Sequence, residues 1–173
     1  MKTSDRLLVT GIFPDRESAE LGYTTLTDRG YTQKDIDLVM SEDTKNHLAL
    51  AGAETELGNK AAKGAGVGGA IGGTVGAVAA AVAAVGTTLA VPGLGLLVAG
   101  PIAAGLAGAG AGAASGGIVG ALVGWSLPEE RVKHYAEGVK KGGILIGVHP
   151  RDEADATYVA NTWKANGAQQ VHL

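Results

Sequence analysis

Ile12-Phe13-Pro14-Asp15-Arg16-Glu17-Ser18-Ala19 is echoed near the other end of the chain by Val148-His149-Pro150-Arg151-Asp152-Glu153-Ala154-Asp155. Each copy follows a short apolar run, Leu7-Leu8-Val9 and Ile144-Leu145-Ile146, of the kind that suits a mostly buried strand. Proline followed by acids marks a strand-to-helix turn, because proline presets φ and early carboxylates favour the positive end of a helix. Each segment that follows ends at a glycine, Gly30 or Gly167, suited to the left-handed residue that closes a helix. A second strand follows in both copies, Ile36 to Met40 and Gln170 to Leu173. Two β-α-β units in tandem predict an α+β, ferredoxin-like domain: four antiparallel strands with two helices on one face.

In that plan a hairpin joins the second and third strands, but here a long insertion separates them. From Gly64 to Pro128 there is no Asp, Glu, Lys, Arg or His, so the 14 basic and 17 acidic residues all lie in the flanks. Small residues recur at every fourth position, Gly64, Gly68, Gly72, Gly76, Ala80 and Ala84 in a first arm. The return arm carries Gly108, Gly112, Gly116, Gly120 and Gly124, in phase with Gly100 and Ala104. A stripe without side chains lets helix backbones approach closely, which is the pattern of a glycine zipper. Each Gly costs about 0.8–1.0 kcal/mol against Ala in an aqueous helix, so the pattern points to a bilayer or a tightly packed interior.

The chain therefore divides into residues 1–41, the first half of the α+β domain; 42–63, a connecting helix; 64–127, a Gly/Ala-rich helical hairpin; and 128–173, a second connecting helix and the other half of the domain. Pro92-Gly93-Leu94-Gly95 reads as the turn between the arms, and Pro101 either kinks the second arm or starts it. Arms of Gly64 to Val91 and Pro101 to Leu127 would each be long enough as helices to cross a bilayer. Lys60 and Lys63 before them and Arg131 and Lys133 after them would then keep both ends cytoplasmic. Trp125 is placed as an anchor at the near interface. The tip, Val91 to Gly100, has no charge and no Tyr, Trp or hydroxyl residue to mark its emergence into water, so it is expected to stay buried.

Little in the chain suggests chemistry. There is no cysteine, and the net charge of −3 shows no basic patch for nucleic acid. Gly64-x-Gly66-x-x-Gly69 follows Ala61-Ala62-Lys63 rather than a buried strand, and lacks the acidic residue ~20 positions on that a ribose would need. His47, His134, His149 and His172 form no close pair in sequence. Glu129-Glu130 and Asp152-Glu153 sit at helix starts, where the dipole accounts for them.

Asp28-Arg29-Gly30-Tyr31 with Asp35-Ile36, and Tyr135-Ala136-Glu137-Gly138-Val139-Lys140-Lys141-Gly142-Gly143-Ile144-Leu145-Ile146, resemble the heat-induced stress protein YflT family, the general stress proteins. The resemblance covers both flanks and implies a bacterial, stress-associated protein; it supplies no catalytic residues. The resulting expectation is a non-enzymatic structural protein, with no cofactor and no metal, whose partners are copies of itself and membrane lipid. It would assemble through its zippered hairpins in the bacterial inner membrane with both termini cytoplasmic, or in the cytoplasm as a closed soluble oligomer. The rival expectation is a small-molecule-binding or sensory ferredoxin-like module tethered to the membrane.

Overall fold

A computed structural model describes residues 7–53, 88–91, 96–101, 103, 122 and 127–173. The elements are β1 (Val9–Phe13), α1 (Arg16–Asp28), β2 (Ile36–Ser41), α2 (Glu42–Ala53), β3 (Thr88–Val91), β4 (Leu96–Ala99), α3 (Glu129–Lys140), β5 (Ile144–Val148), α4 (Glu153–Ala165) and β6 (Gln169–His172). The fold is α+β, and all six strands join one antiparallel sheet in the order β3-β4-β2-β5-β1-β6.

Alternation along the strands sends apolar side chains to both faces. Val9, Phe13, Ile36, Leu38, Met40, Leu97, Ala99, Ile144, Ile146 and Val148 join one cluster with α1, α4 and Leu48 of α2. Ile12, Val39, Val98 and Leu145 join a second with Val132, Tyr135, Ala136 and Val139 of α3, together with Ala103 and Leu122. The sheet is therefore covered on both sides. α3 was expected to carry the chain toward the insertion; it instead closes the second face, because β1, β2 and β5 present apolar residues there that need burial.

Two glycines inside helices make this double packing possible. A Cβ on Gly22 of α1 would lie 2.3 Å from Cζ of Phe13, and one on Gly138 of α3 would lie 2.4 Å from Cδ1 of Ile12. Neighbouring β1 residues thus point to opposite faces, and each fills the space left by a missing side chain.

Three helices end alike. After α1, α3 and α4 the chain turns through Gly30, Gly142 and Gly167, all at positive φ. The next amide then donates back to the carbonyl five residues earlier: Tyr31 to Leu26, Gly143 to Gly138, Ala168 to Trp163. This hydrogen bond satisfies a carbonyl that the helix end would otherwise orphan.

The insertion departs from a helical hairpin at its centre. Thr88–Val91 and Leu96–Ala99, expected as the end of the first helical arm and the tip, are strands, and β4 pairs with β2 from Leu38↔Ala99 to Ser41↔Leu96. In the four-stranded plan β2 would be an edge, yet Ile36 to Met40 are all buried. A strand buried along its length, Asp37 included, needs partners for the backbone groups of its free edge, and β4 supplies them. Leu97, Val98 and Ala99 are buried as the tip was expected to be, but against the sheet. Gly100 completes the junction at φ +107, where a Cβ would lie 2.4 Å from the Ile36 carbonyl oxygen.

The repeat also needs a corrected register. Ile12 was matched with Val148, but Ile12 belongs to the second cluster and Val148 to the first. A slip of one residue reverses every side chain of a strand, so Phe13 is the true counterpart of Val148. The helix caps match Asp15 with Asp152, because the second copy has a longer turn between strand and helix, and each cap accepts from the amide three residues on, Ser18 or Asp155, at 2.8 Å.

Candidate functional site

Gly64, Gly68, Gly72, Gly76, Gly108, Gly112, Gly116, Gly120 and Gly124, expected to pack helices, and Trp125, the expected anchor, lie outside the described residues. Among the described residues no helix is long and apolar enough to cross a membrane, and no group of three His, Asp or Glu could hold a metal ion. His149 is exposed with Nδ1 3.2 Å from the Leu7 carbonyl, and His172 stands edge-on to Tyr135.

What the fold does bring together is a groove of about 370 Å³ lined by Arg16, Thr44, His47, Leu48, Gly142 and Ile144. Its walls come from three places in the chain. Arg16 is the first residue of α1. α2 starts directly on leaving β2, because Ser41 accepts from the Thr44 amide at 3.1 Å and so caps the helix. Thr44 Oγ1 then donates to the Gly142 carbonyl at 3.2 Å, tying α2 to the turn that enters β5. Leu48 and Ile144 provide apolar surface, and both belong to the first core cluster.

Arg16 is partly buried. Its Nε lies 3.6 Å from the Glu20 carboxylate one helical turn away, whereas Nη2 is buried and finds no hydrogen-bond partner among the described residues. An orphaned buried donor of this kind costs about 1–3 kcal/mol. It is the least satisfied polar atom in the neighbourhood of the groove.

A second polar constellation is fully matched and joins the two repeat units. Arg29 Nε donates to Asp155 Oδ1 at 2.5 Å, and the Tyr31 hydroxyl donates to Asp155 Oδ2. The Arg151 amide donates to the same hydroxyl at 3.2 Å, and its guanidinium reaches the Arg29 carbonyl. Arg29 also stacks over Tyr158 and Arg151 over Tyr31, at 4.1 and 4.7 Å from the ring centres. Burial pushes the Asp155 carboxyl up, but the hydrogen bonds from Tyr31 and Arg29 and the charge of Arg29 outweigh it and hold the group below its ordinary value. Burial, reinforced by the bond to Asp155, pushes the Tyr31 hydroxyl up to about 12. Because both Asp155 oxygens and the Tyr31 hydroxyl are partnered across the two units, this constellation acts as a lock between them.

On the opposite face Tyr135 performs a similar task. Its hydroxyl donates to the Gln170 carbonyl at 2.8 Å and lies 2.7 Å from Thr10 Oγ1. Gln170 has φ +50 at a register shift in the β1–β6 pairing, so Tyr135 holds a bulge at the sheet edge. Burial raises its pKa above the ordinary tyrosine value.

Sequence reasoning passed over Arg16, Thr44 and Asp155, since a lone Arg or Asp near a helix start is ordinary helix chemistry. Tyr31 and Tyr135 were noticed only within longer motifs. No protein-family profile, curated protein or solved structure matches this chain.

Proposed function

We propose that this chain is a non-enzymatic, stress-associated structural protein that self-assembles through its uncharged insertion, carried on a ferredoxin-like domain. The ferredoxin-like reading draws support from the run β2-β5-β1-β6, in which the two β-α-β units interleave. The stress association rests on the resemblance to the YflT family.

The observation that carries the assembly reading is the pairing of β4 with β2. It ties the middle of the insertion to the sheet edge, so the stretches 54–87 and 104–121 each connect two points that already belong to the domain, Ala53 with Thr88 and Ala103 with Leu122. A helix rises about 1.5 Å per residue, so a helical path out and back would reach at most about 26 Å in the first case and about 14 Å in the second. Both fall short of the ~30 Å hydrocarbon core. That favours a closed oligomeric particle, with the Gly-rich stretches packed against those of other copies, over a hairpin that spans the bacterial inner membrane. Glycine stripes at Gly64 to Gly76 and Gly108 to Gly124 would supply the close backbone contact.

Light scattering on the size-exclusion peak, with and without detergent, tests this reading. A uniform oligomer in plain buffer, disrupted by Gly116→Leu and preserved by Ile118→Leu, is expected. A monomer in buffer, or a chain recovered only in detergent micelles, would sink it. The second reading, a small-molecule-binding module, is favoured by one observation, the groove beside Arg16.

A further inference from the structure

We propose that the groove between α1, α2 and the start of β5 binds a small organic carboxylate, with its charged end on Arg16 and its apolar body against Leu48 and Ile144. The site is independent of self-assembly, since none of its six lining residues belongs to the insertion.

Three features select this ligand class. The volume, about 370 Å³, falls at the small end of the range for small-molecule pockets. Its charge is the second feature: among the described residues Arg16 lines the groove, no acidic side chain does, and Glu20 already faces Arg16 Nε. Nη2 is closed off from the groove, so the ligand meets the part of the Arg16 side chain that remains 26% exposed, and a carboxylate matches the planar fork of a guanidinium better than any neutral acceptor does. The third feature is the apolar character of the remaining wall, to which Leu48 and Ile144 contribute. A free phosphate would need several donors around it and would gain nothing from that wall, whereas a carboxylate with an aromatic or short aliphatic body uses both halves of the groove. His47, an exposed residue, completes the lining, and Thr44 spends its hydroxyl hydrogen on the Gly142 carbonyl.

The test is a titration of the full-length protein with benzoate, followed by the methyl and backbone NMR signals of Leu48, Ile144 and Thr44. Inorganic phosphate and benzyl alcohol serve as the charge-only and body-only probes. Saturable shifts with benzoate, and intermolecular contacts from its ring to the Leu48 and Ile144 methyl groups, are expected. Arg16→Gln should weaken binding roughly tenfold or more by removing the charge-assisted pair, while circular dichroism stays unchanged. Should that variant fail to fold, the ring-to-methyl contacts in the unaltered protein still decide the matter. The proposal is overturned if benzoate gives no saturable shift at millimolar concentration, if phosphate binds as well as benzoate, or if a folded Arg16→Gln protein binds as tightly as the original.

Discussion

The two junctions between the repeat units share a backbone and differ in their side chains. At one, Arg29-Gly30-Tyr31 leaves α1 and meets the start of α4; at the other, Asn166-Gly167-Ala168 leaves α4 and meets the start of α1. Glycine φ values of +82 and +88, the aspartate caps at 2.8 Å and the returning amide bonds are the same in both. A Cβ on Gly30 would sit 3.6 Å from Arg151 Nη2, and one on Gly167 would sit 3.7 Å from Ser18 Cβ. Yet the first junction buries Asp155 against Arg29 and Tyr31, where the second has Ser18, Ala168 and one neutral hydrogen bond, from Asn166 Nδ2 to Thr25 Oγ1 at 3.3 Å. The turn chemistry needed to end and restart helices is thus kept in both copies, while the polar lock exists in one. Duplication fixes the frame, and local side chains decide how firmly each seam closes.

Substitutions can separate the frame from the lock. The largest effect is expected in the frame, at Trp163, which is wholly buried, packs edge-on against Phe13 at 5.5 Å and donates Nε1–H to the Gly22 carbonyl at 2.9 Å. Trp163→Ala should cost about 3–5 kcal/mol. Leu26 is its counterpart in the other repeat, and Leu26→Ala should cost somewhat less within the range of about 2–5 kcal/mol. Urea denaturation measures both. Equal and small losses would mean that the two helices are not packed as the repeat requires.

Breaking the lock comes next. Asp155→Ala leaves the Tyr31 hydroxyl and the Arg29 guanidinium without their acceptor, and about 1–3 kcal/mol of destabilisation is expected. Ser18→Ala at the equivalent place removes only a hydroxyl that donates to the Asp15 carbonyl at 3.0 Å, so its effect should stay below about 1 kcal/mol. A reversed order would remove the distinction between the junctions.

Acid and alkali sharpen the comparison further. The folded pKa of Asp155 lies below its unfolded value of about 3.9, so its contribution is full above that pH and is lost as pH falls through the folded value. Tyr31 has the opposite sign. Its folded value of about 12 exceeds the unfolded value near 10, so stability is retained below pH ~10 and lost as pH rises toward 12. Tyr31→Phe should flatten the alkaline limb and Asp155→Asn the acid limb, as read from melting temperature against pH. Because Tyr23 is also raised to about 12, by burial and then by Glu20, part of the alkaline limb should survive in Tyr31→Phe.

Local signals made the frame readable in the sequence. Pro-Asp turns, helix-closing glycines and apolar strands are all set by residues within a few positions, and they marked α1, β2, α3, β5 and α4. Two things were hidden for physical reasons. Pairing of β4 with β2 is a contact across a long loop, and the Gly/Ala periodicity on either side masks the short apolar strands Thr88–Val91 and Leu96–Ala99. The signal that could have found them was β2 itself, where Leu38-Val39-Met40 are apolar at consecutive positions, a signal weakened by Asp37 on one face. The groove and the Asp155 lock bring together residues distant in sequence, and single Arg, Thr and Asp residues announce nothing until the fold places them.

The claim that the insertion is pinned at its middle to β2 is tested most directly by comparing two shortened chains in urea. One replaces residues 64–87 and 104–121 each with a short flexible linker and keeps β3 and β4; the other replaces the whole of Gly64 to Leu127 with a single linker. The second chain loses the cover of β2 together with buried Leu97, Val98, Ala103 and Leu122, and fully buried aliphatic side chains contribute about 1.5–3 kcal/mol each. The account predicts that the first chain unfolds cooperatively at a clearly higher urea midpoint than the second. Equal midpoints, or a more stable second chain, would contradict it, because β3 and β4 would then contribute nothing to the sheet.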